Sequence, residues 1–147
     1  MNLQALKTEL ADPAYAELSD QAAADVINAK TVDVLRPVSS ASLLAWSAAD
    51  GRYRKLEAAT ADTSSPVYSL ASAAFLMIRR DATELDLNLP DRVALLAALV
   101  AAGVLSQGDA DAIYVLATHT IPWTQANGLG EVGRGLVINT RQEMGAE

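Results

Sequence analysis

Apolar residues recur along most of this chain in steps of three and four, the spacing that gathers them on one face of an α-helix. Leu3, Leu6 and Leu10 begin a short amphipathic helix, which Asp12-Pro13 stops because the residue before a proline is pushed away from helical angles. Ser19 is placed to cap the next helix, with Asp20 favouring its positive end and Ala23, Val26, Ile27 and the stem of Lys30 on its apolar side. Thr31 to Leu35 alternates like a strand but has no obvious partner, so it reads as an extended connector ended by Arg36-Pro37. Ser39 or Ser40 caps a third helix carrying Leu43, Leu44, Trp46 and Ala48, and Gly51 ends or kinks it near Asp50. The basic run Arg52-Tyr53-Arg54-Lys55-Leu56 continues as helix to about Ala59.

The second half is punctuated as clearly. Ala61 to Ser65 reads as a loop, after which Ser65 and Pro66 open the strongest periodic stretch: Val67, Leu70, Ala71, Ala74, Phe75 and Ile78 share a face. Arg79 and Arg80 suit the negative end of that helix. Glu84 to Leu89 alternates with period two and predicts an extended segment laid over the core. Pro90 opens a buried helix through Ala102, with Gly103 as its left-handed cap. Ser106 and Asp109 have the spacing of a capping box for a helix from about Gln107 to Thr118, which uses Ala112, Ile113, Val115 and Leu116. Beyond His119 the pattern weakens. Pro122 to Ala126 allows one or two helical turns, Leu129 to Gly133 a compact loop, and Leu136, Val137, Ile138 and Met144 a last short helix that frays from about Gln142. No internal period stands out, and 147 residues suit one domain, so the expected fold is all-α: a single irregular multi-helix domain over 1–147 with short extended connectors.

Composition narrows the picture. The chain is 51% hydrophobic but only 5% aromatic, and 29 of its residues are alanine, which favours close helix packing over a sheet sandwich. Without cysteine there are no disulfides, thiolate metal sites or cysteine nucleophiles, and the lone His119 rules out zinc sites built on two imidazoles. The net charge of -7 disfavours broad affinity for a phosphate backbone. The longest nearly unbroken apolar stretch, Val93 to Leu105, is shorter than the ~20 residues a spanning helix needs. The N-terminus lacks the order of a secretory signal, so an unprocessed intracellular product is expected.

Three strings suggest chemistry and fail on context. His119 has no triad or ligand spacing and reads as a capping or surface histidine. Asp109-Ala110-Asp111 resembles the opening of a calcium loop, but Ile113 and Tyr114 stand where an oxygen ligand and a glycine belong. Gly128-Leu129-Gly130-Glu131-Val132-Gly133 fits a dinucleotide-binding string but lacks the buried strand that must precede it. No phosphate loop or serine elbow is present, so no catalytic residue, metal ligand or cofactor is expected. Contact residues are better candidates. Arg52, Arg54 and Lys55 with Tyr53 between them form either a solvated face, an inter-subunit ion-pair patch or a phosphate contact. Trp46 and Trp123 are core residues or interface anchors, and Leu87, in Asp86-Leu87-Asn88-Leu89, packs on its own core or on a neighbour.

The order of segments resembles a family of small helical virion proteins of tailed bacteriophages, of the neck or head–tail connector type. The likeness runs through Leu3 to Leu10 with Asp12-Pro13 and Tyr15, Ser19-Asp20 to Asn28, Val38-Ser39-Ser40 with Leu43 to Trp46, and Gly51 to Leu56. It continues through Leu99 to Ser106 and Asn127 to Val132, then Val137 and Arg141. Pro122-Trp123-Thr124-Gln125 departs from it, since the family has a more charged short helix there. The resemblance implies a non-enzymatic structural subunit that assembles as a homo-oligomeric ring, with other virion proteins such as portal, stopper or tail terminator as partners. It also implies location in the virion, and in the host cytoplasm during assembly, with no membrane or sequence-specific nucleic acid partner. Two alternatives stand beside it: a morphogenesis chaperone absent from the mature particle, and a small acidic host-factor-binding regulatory protein.

Overall fold

Short side-chain caps set where the helices begin. In the computed structural model, which describes residues 1–79 and 84–146, Asn2 caps α1 (Leu3–Leu10), Ser19 caps α2 (Asp20–Ala29) and Ser39 caps α3 (Ser40–Ala48). Each cap side chain accepts a hydrogen bond from a first-turn amide that has no partner within its helix. Asp12 does the same for a single 3₁₀ turn at Pro13–Tyr15. Gly51, at φ 70°, turns the chain into α4 (Arg52–Ala59). There follow α5 (Tyr68–Arg79), α6 (Pro90–Ala101) and α7 (Gln107–Ala117), the last opened by the Ser106/Asp109 capping box in full. Arg80, the other expected C-terminal cation of α5, lies outside the described residues.

The described residues are mostly helical, but the fold is not strictly all-α. The extended segment β1 (Thr31–Leu35) pairs with β2 (Thr118–Pro122). The strands run antiparallel: the Trp123 amide donates to the Lys30 carbonyl at one end and the Arg36 amide to the Ala117 carbonyl at the other. Between them Thr120 Oγ1 donates to Asp33 at 2.6 Å. An unpartnered β1 is therefore corrected, while α7 ends where expected, at Ala117 with Thr118 as its cap. β2 is exposed along most of its length, so no apolar alternation marks it, and its partner lies some 87 residues away. Another short pairing, Val38 with Leu85, anchors the segment before α6, where Leu85 and Leu87 are buried as the period-two pattern predicts.

The chain forms two compact units, Met1–Val34 with Thr120–Glu147, and Leu35–His119, and it passes between them in β1 and β2. Each has its own hydrophobic cluster, where the chain length suggests one. The first unit packs α2 and α1 against α9 (Arg134–Gly145), with α8 (Trp123–Ala126) beside α2, and buries Leu6, Ile27, Val132 and Val137 completely or nearly so. The last helix runs to Gly145, with Met144 half-buried against the first cluster and Glu143 3.4 Å from Lys7. The second unit gathers α3, α4, α5, α6 and α7 around Leu43, Leu56, Ile78, Leu99 and Ile113. Each such burial contributes roughly 1.5–3 kcal/mol.

Candidate functional site

The residues that sequence patterning singles out separately, the basic run of α4 and the acidic opening of α7, meet at Asp109 in the second unit. Asp109 occupies the third position of α7, where the capping box turns its side chain back toward the Ser106 amide, 2.9 Å away. One carboxylate oxygen accepts from Arg52 Nε at 2.8 Å. The other accepts from Lys55 Nζ at 3.0 Å as well as from Ser106. The Asp109 carbonyl accepts from the Trp46 indole at 3.0 Å, and Arg52 Nη1 donates to the Trp46 carbonyl at 3.0 Å. The guanidinium lies over the Trp46 ring, 5.2 Å from its centroid. Three helices are thereby joined at one residue, α4 through the Asp109 carboxylate and α3 through its backbone carbonyl.

Local backbone geometry aims Arg52 into this arrangement. Asp50 and Gly51 follow one another in the left-handed region, at φ 52° and 70°, and reverse the chain between α3 and α4. Aspartate is among the few residues with a side chain that tolerates this conformation, and its carboxylate here accepts from Arg52 Nη2 at 3.0 Å. Burial pushes the Asp109 carboxyl upward, but the Ser106 amide, Arg52, Lys55 and the Ser106 hydroxyl outweigh it and hold the group well below the usual carboxylate range. Every donor and acceptor named is used within the network. Among the described residues no buried side-chain nitrogen or oxygen lacks a partner, and no group of three or more His, Asp or Glu is placed to hold a metal ion. The cluster can lock helices together; its carboxylate stays ionised and fully occupied.

The other expected contact residues are distributed unevenly. Trp46, Leu87 and Trp123 are buried within their own units, the core alternative of the two that the sequence leaves open, and Arg52 is buried with them instead of lying on a solvated face. The physical reason differs in each case: Trp46 and Arg52 serve Asp109, Leu87 belongs to the second core, and Trp123 closes the first with Lys30 over its ring at 5.7 Å. Tyr53 is half-buried, with its ring 4.9 Å from that of Phe75, and Arg54 and Lys55 are exposed. His119 is exposed on β2. Asp111 is also exposed and accepts from Gln107, so it faces away from Asp109 as a calcium pair would not. In the glycine-rich loop, Gly128 and Gly130 take φ of 62° and 67°. Its far end is clamped by Asn28, whose amide both donates to the Val132 carbonyl at 2.8 Å and accepts from the Val132 amide at 2.9 Å. That pairing is structural, and the string is a turn.

A surface of different character lies beside the network. Leu44 is 52% exposed on α3, and Val115 and Leu116 are 75% and 41% exposed on α7. Ala45 and Leu116 border one shallow groove with Ser42 and Ala112, floored by Trp46 and Arg52. Helix α3 carries no charged residue along Ser40–Ala48. The sequence pattern counts Leu44, Val115 and Leu116 among the apolar positions of their helices, and the structure turns them outward. In α3, apolar residues stand at 43, 44, 45, 46 and 48, on every side of the helix, so periodicity does not choose a face. No family model matches the chain, and no curated protein and no solved structure matches it either.

Proposed function

We propose that this chain is a non-enzymatic structural subunit of a tailed-phage virion, most specifically a neck or head–tail connector subunit that assembles as a ring. The observation that carries the reading is the set of exposed apolar side chains on two packed helices, Leu44, Ala45 and Ala48 of α3 with Val115 and Leu116 of α7, of which Ala45 and Leu116 line one groove. A chain of net charge -7 keeps its copies apart wherever charge faces solvent, and α3 presents exposed apolar side chains along a helix that carries no charge. Subunits that work by contact need such a surface. The Asp109 network supports the same reading from inside, because it spends the buried ionisable groups of the second unit on holding three helices in place. The segment order that resembles connector-type proteins supplies the biological setting, with portal, stopper or tail-terminator proteins as neighbours.

Virion proteomics with native mass spectrometry of the purified chain tests this reading. A connector subunit is found in purified particles and forms a ring-sized oligomer at assembly concentrations. Absence from particles points to a morphogenesis chaperone, and a monomer absent from virions defeats the connector reading. A second reading, an acidic host-factor-binding regulator, draws on one observation: residues 1–34 and 120–147 hold nine acidic side chains against four basic ones. Retrieval of one host protein from uninfected lysate, at stoichiometric ratio and lost at high salt, would favour it.

A further inference from the structure

The exposed end of α5 carries an aromatic, an aliphatic and a cationic side chain together. Phe75 is half-buried, Leu76 is 54% exposed, and Arg79 is exposed with its guanidinium 5.3 Å from the Phe75 centroid. Tyr53 leans on the same ring from α4. Arg79 has no carboxylate partner among the described residues, although the molecule is rich in acids. Arginine braced on an aromatic ring and flanked by leucine is the composition of an interface anchor, pre-organised by its ring contact.

The complementary chemistry is present elsewhere on the chain. An open groove of about 430 Å³ runs between the 3₁₀ turn and α2, walled by Leu18, Val26 and Ala29 and edged by Glu9, Asp12 and Lys30. Val26 is 47% exposed there. Glu9 accepts through Oε1 from both Tyr15 Oη and Lys30 Nζ, at 2.6 Å each, which leaves its second oxygen without a partner among the described residues. Asp12 is exposed, and its carboxylate accepts from the Ala14 amide through one oxygen. A guanidinium suits a groove whose edge carries the exposed Asp12 carboxylate with the Lys30-paired Glu9, and the apolar wall suits a leucine and an aromatic edge.

We infer that the Arg79 end of α5 in one copy docks into the Glu9/Asp12 groove of a second copy, Arg79 meeting the carboxylates and Leu76 meeting Val26. The charge complementarity identifies the occupant. The groove belongs to the stretch with nine acids and four bases, and three of those bases, Lys7, Lys30 and Arg141, are already paired with Glu143, Glu9 and Asp20. Each copy carries both halves, Arg79 in one unit and the groove in the other, so the contact can repeat from copy to copy into a ring or filament or close reciprocally in a pair. This deepens the assembly reading and rests on it.

Sedimentation velocity and native mass spectrometry on the full chain test the contact with Arg79→Glu, Asp12→Arg and an equimolar mixture of the two. Each single reversal raises the concentration at half-assembly about tenfold or more, as expected for a charge pair turned repulsive. In the mixture, the reversed α5 end of one variant meets the reversed groove of the other, and the untouched Arg79 meets the untouched Asp12, so assembly returns. Asp12 also caps the 3₁₀ turn, so Asp12→Asn, which keeps that acceptor without the charge, is run alongside and weakens assembly in the same direction. If the native chain assembles and Arg79→Glu assembles equally well, this contact is wrong while the assembly reading stands. Weakened single variants that fail to recover on mixing also overturn it, since the two residues then do not face each other. A native chain that is monomeric throughout overturns the assembly reading and this contact with it.

Discussion

Arg52 donates through Nε to Asp109 at 2.8 Å, with both side chains almost wholly withdrawn from solvent. A buried pair of this kind adds little over two well-packed apolar residues, but removing one partner strands the other charge in a low-dielectric setting. Asp109→Ala is therefore expected to cost about 3–5 kcal/mol of stability. It removes the Ser106 reciprocal cap at the same time as it orphans Arg52. Asp109→Asn, which can still accept from the Ser106 amide, is expected to fall between the two. Urea unfolding followed by circular dichroism separates the three proteins, and an Asp109→Ala variant within about 0.5 kcal/mol of the native chain would contradict the role assigned to the network.

The same carboxylate sets an acid limit. Its folded-state pKa lies below the unfolded value, so the unfolded chain takes up the proton first and the stabilisation is present above the ordinary aspartate range. It is lost progressively as pH falls below about 4. Stability against pH should therefore drop more steeply for the native chain than for Asp109→Asn in this window, and the two curves should run parallel above it.

Tyr15 sets the opposite limit. Burial, together with the hydrogen bond to Glu9 and that carboxylate's charge, pushes the phenol from 10.0 up to about 12. A raised acid pKa means the contribution is full below pH 10 and is lost as pH rises toward 12. Tyr15→Phe keeps the ring in the core but gives up the 2.6 Å bond to Glu9. It should lower stability at neutral pH and flatten the decline between these two values, as read by thermal melts across an alkaline series.

Local punctuation was legible in the sequence because it acts within three or four residues. Ser19, Ser39 and the Ser106/Asp109 box cap the helices they precede, and Gly103 takes the left-handed conformation after α6. Pairings between distant residues were not legible. Nothing near Arg52 announces that it meets a side chain 57 positions later, and β2 gives no apolar alternation to reveal its pairing with β1. The outward turn of Leu44 and Val115 was hidden for a related reason: an alanine-rich helix offers several nearly equivalent faces, and only the neighbours decide which one is covered. Of the contact residues expected, those of the basic run split, with Arg52 drawn inward by Asp109 and Arg54 left at the surface.

Asn28 makes a narrower prediction. Its side-chain amide exchanges two hydrogen bonds with the Val132 backbone across 104 positions, fixing the glycine-rich loop against α2. Asn28→Ala leaves a partly buried amide and carbonyl without partners, at a cost of about 2 kcal/mol. Asn28→Asp keeps the acceptor and loses the donor, so it should cost less per bond yet set a carboxylate against the Val132 carbonyl. Amide exchange at Val132 should accelerate in Asn28→Ala, while amides around Asp109, in the other unit, stay at native rates up to global unfolding.

The exposed apolar side chains of α3 and α7 separate folding from assembly. Val115 is 75% exposed and contributes little to the second core, so Val115→Glu should change folding stability by no more than about 0.5 kcal/mol. Leu44→Glu, on the charge-free α3, should behave alike. If these side chains meet another virion protein, both variants fold normally and reach particles at least tenfold less well, roughly the effect of placing one unpaired charge in a buried contact. Complementation of a phage lacking the gene, with incorporation measured by mass spectrometry, reads that directly. Incorporation of Val115→Glu at native level, with native melting behaviour, would show that these side chains face solvent in the particle and would remove the observation on which the structural-subunit reading depends.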